Sequence, residues 1–273
     1  MKNILVPTDF SDCALNAASA AIAIAAKMKA DIHFLHILPD PEGSTHMVHP
    51  KIAHLPVSGI GYAQNQLNLL VAKATHVGVQ AFAVLVLDKG NENIEKYIQP
   101  LKIDLIVMGS HGASGIRELV IGSNTQRVVR HAAVPVLVIK HPIFGAFKFD
   151  NIIFASTFQE DVTGAFDVVV NFAKLWKSTI HIFFINFKDK LVNQQTMEHM
   201  VQKLTMPYPD IQCTSNSAET NDEEWAIHEL AEQLDADLIS LTTHDKTGFI
   251  LKHKVAEDLV NHEEVPVLAI GGN

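Results

Sequence analysis

Cysteine is nearly absent from this chain: Cys13 and Cys213 are the only two among 273 residues. Far apart in sequence, they form no disulfide framework and fit a reducing compartment. Basic residues are the minority, 21 Lys and Arg against 30 Asp and Glu, for a net charge of −9. That balance argues against a general nucleic-acid binder. Charge of either sign is sparse, at 19%, while 48% of the residues are hydrophobic, so the chain can bury a sizeable core and is not disordered. No apolar run is long enough to cross a bilayer: the alanine-rich stretch Ala17 to Ala26 is closed by Lys27 and Lys29. No secretory leader is visible, since Met1-Lys2-Asn3 leads straight into a short strand. A cytoplasmic protein without membrane contact is expected. Also missing are a Gly-x-x-x-x-Gly-Lys-Ser/Thr loop and a Gly-x-Ser-x-Gly elbow, Gly112-Ala113-Ser114-Gly115 being one residue short of the latter.

What is present is a pattern of short apolar strands alternating with helices. Ile4 to Val6 read as a buried strand, followed by helix-start residues at Thr8 to Asp12 and an alanine-rich helix to about Met28. A strand from Ile32 to Leu38 and a long proline-rich connection follow. Then come a helix from about Tyr62 to His76, ended by Gly78, a strand from Val79 to Leu87 and a short helix near Glu92 to Ile98. The half closes with a strand at Leu105 to Met108, a helical run from Gln126 to Ala132 and a strand after Pro135. Such alternation gives a parallel sheet covered on both faces. The pattern then restarts. Asn3-Ile4-Leu5 matches Asn151-Ile152-Ile153, and Ala30-Asp31-Ile32-His33 matches Ser178-Thr179-Ile180-His181. Asp104-Leu105-Ile106 matches Asp237-Leu238-Ile239, and Val134-Pro135-Val136-Leu137 matches Val265-Pro266-Val267-Leu268. We expect a duplicated α/β domain, residues 1–141 and 149–273. Charge divides with it: residues 1–148 carry 13 basic and 10 acidic residues, whereas residues 149–273 carry 8 and 20. An anion finds the first half easier to approach.

The stretch Leu105 to Ile139 holds the candidate site. A strand ends at Met108-Gly109, continues through Ser110-His111-Gly112, and after a polar loop reaches Gly122-Ser123-Asn124-Thr125 and a helix. A helix N-terminus carries exposed backbone N–H groups and partial positive charge, which suits phosphate. Glycines permit close backbone approach and positive φ, and Ser123, Asn124 and Thr125 bring oxygens that cap the helix or meet phosphate. In open α/β sheets ligands sit beyond the carboxyl ends of the strands, where strand order reverses. In a flavodoxin-like order, or one close to it, the first strand, ending at Pro7-Thr8-Asp9, and the fourth lie at that point. Asp9 can accept from a ribose hydroxyl or help to hold Mg²⁺ beside phosphates, and Ile37 can stack on a base. Simpler roles stand beside these: Gly109 to Ser123 as an ordinary turn and cap, Asp9 as a helix cap, His111 as a solvated loop residue. The Ala17 to Ala26 face reads as helix–sheet packing, Cys13 as a small helix residue, and Trp176 and Trp225 as core or interface. His46, His49 and His54 cluster loosely in the long connection, but no cysteine partner or tight spacing makes them a metal site.

Taken together these residues resemble the universal stress protein family. Its nucleotide-binding members carry Gly, two residues, Gly, nine residues, then Gly and Ser or Thr, here Gly109, Gly112, Gly122 and Ser123. The preceding Leu-Ile-Val-Met, the following Arg-His-Ala-Ala-Val-Pro-Val-Leu-Val-Ile and Pro7-Thr8-Asp9-Phe10-Ser11 also fit. The resemblance implies two tandem doubly wound domains, each a five-stranded parallel sheet in an adenine nucleotide alpha hydrolase-like or flavodoxin-like layout. It further implies ATP in the first domain, AMP or another adenine nucleotide being alternatives. Thr8, Asp9 and Ile37 would meet adenine and ribose, and Met108 and Gly109 the ribose end. Gly112, Gly122, Ser123, Asn124 and Thr125 would meet the phosphates, with Pro7 and His111 alongside. It implies pairing of the two domains and a homodimer of chains. The second copy departs from the motif: Ser156-Thr157 lacks the aspartate, Thr242-Thr243-His244-Asp245 replaces the first glycine pair, and His253-Lys254 falls at Gly122-Ser123. One nucleotide site per chain is therefore expected. No lysine-bearing phosphate loop and no convincing base support catalysis. An ATP-dependent regulatory protein of stress physiology is favoured over a weak ATPase, or over a scaffold that its nucleotide merely stabilises.

Overall fold

Consecutive rather than alternating apolar residues mark the central strands, and their burial on both faces explains why. Ile4, Leu5 and Val6 are 0% exposed, and every residue from Leu105 to Gly109 is buried, as expected where helices cover both faces of a parallel sheet. The computed structural model describes residues 1–39, 46–48, 58–88, 93–111, 121–142, 147–187, 192–243 and 251–271. The chain divides into two compact units, Met1–Phe144 and Gly145–Asn273.

The first unit runs β1 (Asn3–Pro7), α1 (Asp12–Met28), β2 (Asp31–Pro39), β3 (His46–Val48), α2 (Ser58–His76) and β4 (Ala81–Asp88). A single 3₁₀ turn (Ile94–Tyr97), β5 (Leu105–Gly109), α3 (Ser123–His131) and β6 (Val136–Ile139) follow. The strand order is β3-β4-β2-β1-β5-β6. All pairs are parallel except β3, which lies antiparallel on β4. Two details correct the sequence expectation. A short strand forms inside the long connection, and it includes His46, while His49 and His54 lie outside the described residues. The third parallel strand, β4, sits beyond β2 rather than beside β1, so the order is not that of flavodoxin. Order still reverses between β1 and β5, which pair directly.

The second unit contains β7 (Asn151–Ser156), α4 (Thr163–Trp176), β8 (Thr179–Asn186), α5 (Gln194–Thr205) and β9 (Gln212–Glu219), then α6 (Glu223–Gln233), β10 (Leu238–Thr242), α7 (Leu251–His262) and β11 (Val267–Ile270). Its five parallel strands are ordered β11-β10-β7-β8-β9, the same winding as in the first unit.

The repeat reaches down to single hydrogen bonds. Asp104 Oδ2 accepts from the backbone N–H of Lys2 and Asn3 at 2.6 and 3.0 Å, and Asp237 Oδ2 from Asp150 and Asn151 at 2.7 and 2.9 Å. Each carboxylate thus ties the start of one strand to the start of another. Non-glycine residues with positive φ also recur in pairs: Phe10 (66°) with Phe158 (53°), Lys29 (55°) with Lys177 (59°), and Lys102 (52°) with Asp235 (45°). Two places do not repeat among the described residues. β3 has no counterpart in the second unit, and between the third and fourth parallel strands the first unit has the 3₁₀ turn of 4 residues, where the second has α6, a helix of 11.

Helix α1 packs through alanine: Ala17, Ala18, Ala21 and Ala25 are 0% exposed, and side chains this small bring the helix axis close to the sheet. Trp176 joins Phe147, Phe149 and Phe172 in an aromatic cluster. Trp225 stands 57% exposed on α6 and fills no core of its unit. Among the described residues no helix is long and apolar enough to cross a membrane.

Candidate functional site

The reversal between β1 and β5 opens a cleft of about 380 Å³ at the carboxyl ends of the strands. From the end of β1 come Pro7, Thr8 and Asp9; from β2, Leu35, His36 and Ile37; from the end of β5, Met108, Gly109 and His111. Gly122, Ser123, Asn124 and Thr125 close it from the start of α3, with Ala14 of α1 and Ile94 of the 3₁₀ turn. Eleven of the twelve residues expected from sequence therefore line one cleft, and the twelfth, Gly112, lies outside the described residues. Ile37 lies inside β2, which continues to Pro39.

Gly109 lacks a side chain for a local reason. A Cβ there would lie 2.8 Å from Cys13 Sγ and 3.0 Å from the Cys13 carbonyl carbon. The glycine lets the first turn of α1 press against β5, and Cys13 is the buried residue that fills the contact. Gly122 is the N-cap of α3 with φ −62° and ψ 143°. Neither glycine uses positive φ; among described glycines that belongs to Gly78, which corrects one part of the sequence argument. The turn between β5 and α3 is drawn together by Gly122 N–H donating to the Ser110 carbonyl at 2.8 Å and Thr125 Oγ1 donating to the Gly109 carbonyl at 2.8 Å. Thr125, 3% exposed, thus spends its hydroxyl proton on the fold.

At α3 no side chain bonds to the helix from the cap position, no acidic residue occupies the first turn, and Arg130 and His131 sit in the last. No charge within the first turn of α3 therefore opposes the helix dipole at the end that faces the cleft. No lysine or arginine is among the described lining residues, and Asp9 is the one carboxylate. Asp9 Oδ1 accepts from Ser11 N–H at 3.0 Å and Ser11 Oγ at 2.6 Å, and Ser11 in turn caps α1 by accepting from Ala14 N–H. Asp9 braces the cap rather than forming it. His111 Nδ1 lies 2.9 Å from Ser110 Oγ. At the end of the 3₁₀ turn, burial and then the charge of Asp88 push the Tyr97 hydroxyl up from its usual pKa.

Ala14, Leu35, His36 and Ile94 were not anticipated. Leu35 and His36 adjoin Ile37 and were legible from the strand end; Ile94 was not, because nothing in its surroundings marks a 3₁₀ turn as a cleft wall.

The second unit has a crevice at the equivalent point, lined by Ala155, Ser156, Thr157, Ile185, Leu241 and Thr242, but it holds only about 20 Å³. Glu223 and Ile227 of α6 and Val255 of α7 complete its lining.

Comparison with known proteins places this geometry. The family model described as "Universal stress protein family" matches residues 1–140. The chain belongs to the universal stress protein family. Universal stress protein MJ0531 of Methanocaldococcus jannaschii is 30% identical over 148 residues, 52% of this chain and 83% of that protein. Universal stress protein MJ0577 of the same organism is 27% identical over 155 residues, 51% of this chain and 94% of that one. The crystal structure of a universal stress protein from Archaeoglobus fulgidus DSM 4304 covers 98% of both chains with a TM-score of 0.75 at 19% identity, a likeness of fold.

Proposed function

We propose that this universal stress protein is a regulatory protein of stress physiology that holds one adenine nucleotide, ATP foremost, in the cleft of its first unit. The carrying observation is the contrast between two copies of one crevice, about 380 Å³ in the first unit and about 20 Å³ in the second. The first lies in the range of small-molecule sites, roughly 300–1,000 Å³, while the second has room for little more than a water. In this reading the phosphates rest on the N-terminus of α3 and the nucleoside spans β1 and β2, with Asp9 on the ribose. Mg²⁺, if it accompanies the nucleotide, binds mainly phosphate oxygens and water, because among the described lining residues only Asp9 offers a carboxylate.

Gly122→Asp tests the phosphate end. An aspartate is a better N-cap than glycine and accepts helix N–H groups, so the fold is kept, while its charge repels phosphate. Calorimetry with ATP is expected to give one site in the parent protein and an affinity at least about tenfold lower in the variant, with the melting temperature unchanged or raised. Equal affinity in both would rule the placement out. Slow hydrolysis is the second reading, favoured by the His111–Ser110 contact at 2.9 Å on the cleft wall. It requires phosphate release from ATP that His111→Ala abolishes.

A further inference from the structure

The two units share a detail that separates what the fold needs from what the cleft needs. In each, a phenylalanine with positive φ follows the first strand, and its N–H donates to a hydroxyl two residues back: Phe10 to Thr8 Oγ1 at 3.0 Å, Phe158 to Ser156 Oγ at 3.1 Å. Each ring packs on a residue of the second parallel strand. In the closed unit that residue is Phe184, stacked on Phe158 with centroids 4.0 Å apart. In the open unit it is His36, 4.4 Å from Phe10. Phe184 and His36 hold equivalent places, so a plain aromatic ring is enough to support the turn. What His36 adds is a polar nitrogen: Nδ1 lies 2.7 Å from the Thr8 carbonyl oxygen. A carbonyl only accepts, so Nδ1 carries the proton and donates.

That carbonyl belongs to the peptide joining Thr8 to Asp9. The Thr8 N–H is already fixed on the Leu35 carbonyl at 2.9 Å. Anchoring the carbonyl as well sets the peptide plane from which Asp9 departs, and the Ser11 contacts hold the carboxylate beyond it. We infer that His36 is a positioning residue: its Nδ1–H orients the Thr8–Asp9 peptide so that the Asp9 carboxylate meets a hydroxyl of the bound ligand. The inference rests on the nucleotide reading above and deepens it.

The test uses the full chain and three replacements of His36. His36→Phe installs the residue that the closed unit uses and keeps the stacked ring, so folding is retained. His36→Asn restores an N–H near the place of Nδ1, and His36→Gln carries its N–H too far out. Calorimetry is run with ATP and with 2′,3′-dideoxy-ATP. Expected for ATP is an affinity about tenfold lower in His36→Phe and His36→Gln, the size of one lost hydrogen bond, and near-parent affinity in His36→Asn. With the dideoxy analogue the parent and His36→Phe bind alike. Adding His36→Phe to Asp9→Ala lowers ATP affinity no further, since coupled residues are not additive. If the parent binds ATP and His36→Phe binds it equally well, this inference fails and the nucleotide reading stands. A loss that is the same for the dideoxy analogue, or that His36→Asn does not recover, also overturns it by making the role structural. If the parent binds no adenine nucleotide, both fall together.

Discussion

At the scale of single residues, Gly109 has a reason to be glycine in the packing of the protein itself. The side chain it lacks would collide with the backbone of Cys13, 3.0 Å to the carbonyl carbon and 3.1 Å to the oxygen, and backbone cannot swing aside as a flexible side chain can. Gly109→Ala is therefore expected to destabilise the protein by about 1–3 kcal/mol, the usual cost of overpacking, measured by urea unfolding followed in the far ultraviolet. Gly164 is the control. It sits in the first turn of α4 with nothing within 4 Å of an added Cβ, so Gly164→Ala should be neutral or stabilising by up to about 1 kcal/mol. Equal stability of the two variants would show that α1 can retreat from β5 at no cost. The residue identities at this site were legible because strand ends and a glycine-flanked helix start leave a mark in sequence. The reason for Gly109 was not, because its partner lies 96 positions earlier on another element. The pairing of His36 with Phe10 was hidden for the same cause: a residue with positive φ that is not glycine gives no compositional signal.

At the scale of elements, the two units turn out of their first helices in the same way. Lys29 and Lys177 follow α1 and α4 in the left-handed conformation, φ 55° and 59°, and donate their N–H groups to Ala25 and Ala173. This is the place where glycine normally ends a helix, since an L-residue with a Cβ is strained there. Replacing Lys29 and Lys177 with glycine is expected to stabilise the protein by about 0.5–1 kcal/mol each, the relief of strain exceeding the added entropy of the unfolded chain. Thermal unfolding of the single and double variants checks it, and the effects should add because the sites share no partner. Destabilisation in either would mean that the lysine side chains contribute more than the backbone costs. The central strands were readable because burial on both faces writes continuous apolar runs, whereas β9, Gln-Cys-Thr-Ser-Asn-Ser-Ala-Glu with no buried residue, carries no such run. β3 and one difference between the units were not readable either. β3 is 3 residues long within a proline-rich connection, too short for any period to appear. The 3₁₀ turn and α6 occupy one place in the repeat, and their sequences, Ile-Glu-Lys-Tyr and Glu-Glu-Trp-Ala-Ile-His-Glu-Leu-Ala-Glu-Gln, differ in a way that the four matching strand blocks do not reveal.

At the scale of the whole molecule, that difference bears on the proposal of one nucleotide per chain. Sequence reasoning expects no nucleotide in the second half because of lost glycines and a missing aspartate. The structure shows a further difference that substitution at those positions leaves untouched. Helix α6 carries Glu223 and Ile227 to the crevice, and α7 brings Val255; the first unit has only the short turn and Ile94 in the place of α6. Glu223 and Glu224 also make the first turn of α6 acidic, which opposes an incoming phosphate. Restoring the motif in the second unit, by Thr157→Asp, Thr242→Gly, Asp245→Gly, His253→Gly and Lys254→Ser together, should therefore leave the calorimetric stoichiometry at one ATP per chain. Thermal stabilisation by ATP should likewise match that of the parent protein at every concentration, because binding to a single site raises stability only through that site's own affinity. A second equivalent of ATP taken up by the five-residue variant would place the block in the motif itself and assign α6 no part in it. If stoichiometry rises only once Glu223→Ala and Ile227→Ala are added, then the helix, more than the missing glycines, keeps the second crevice shut.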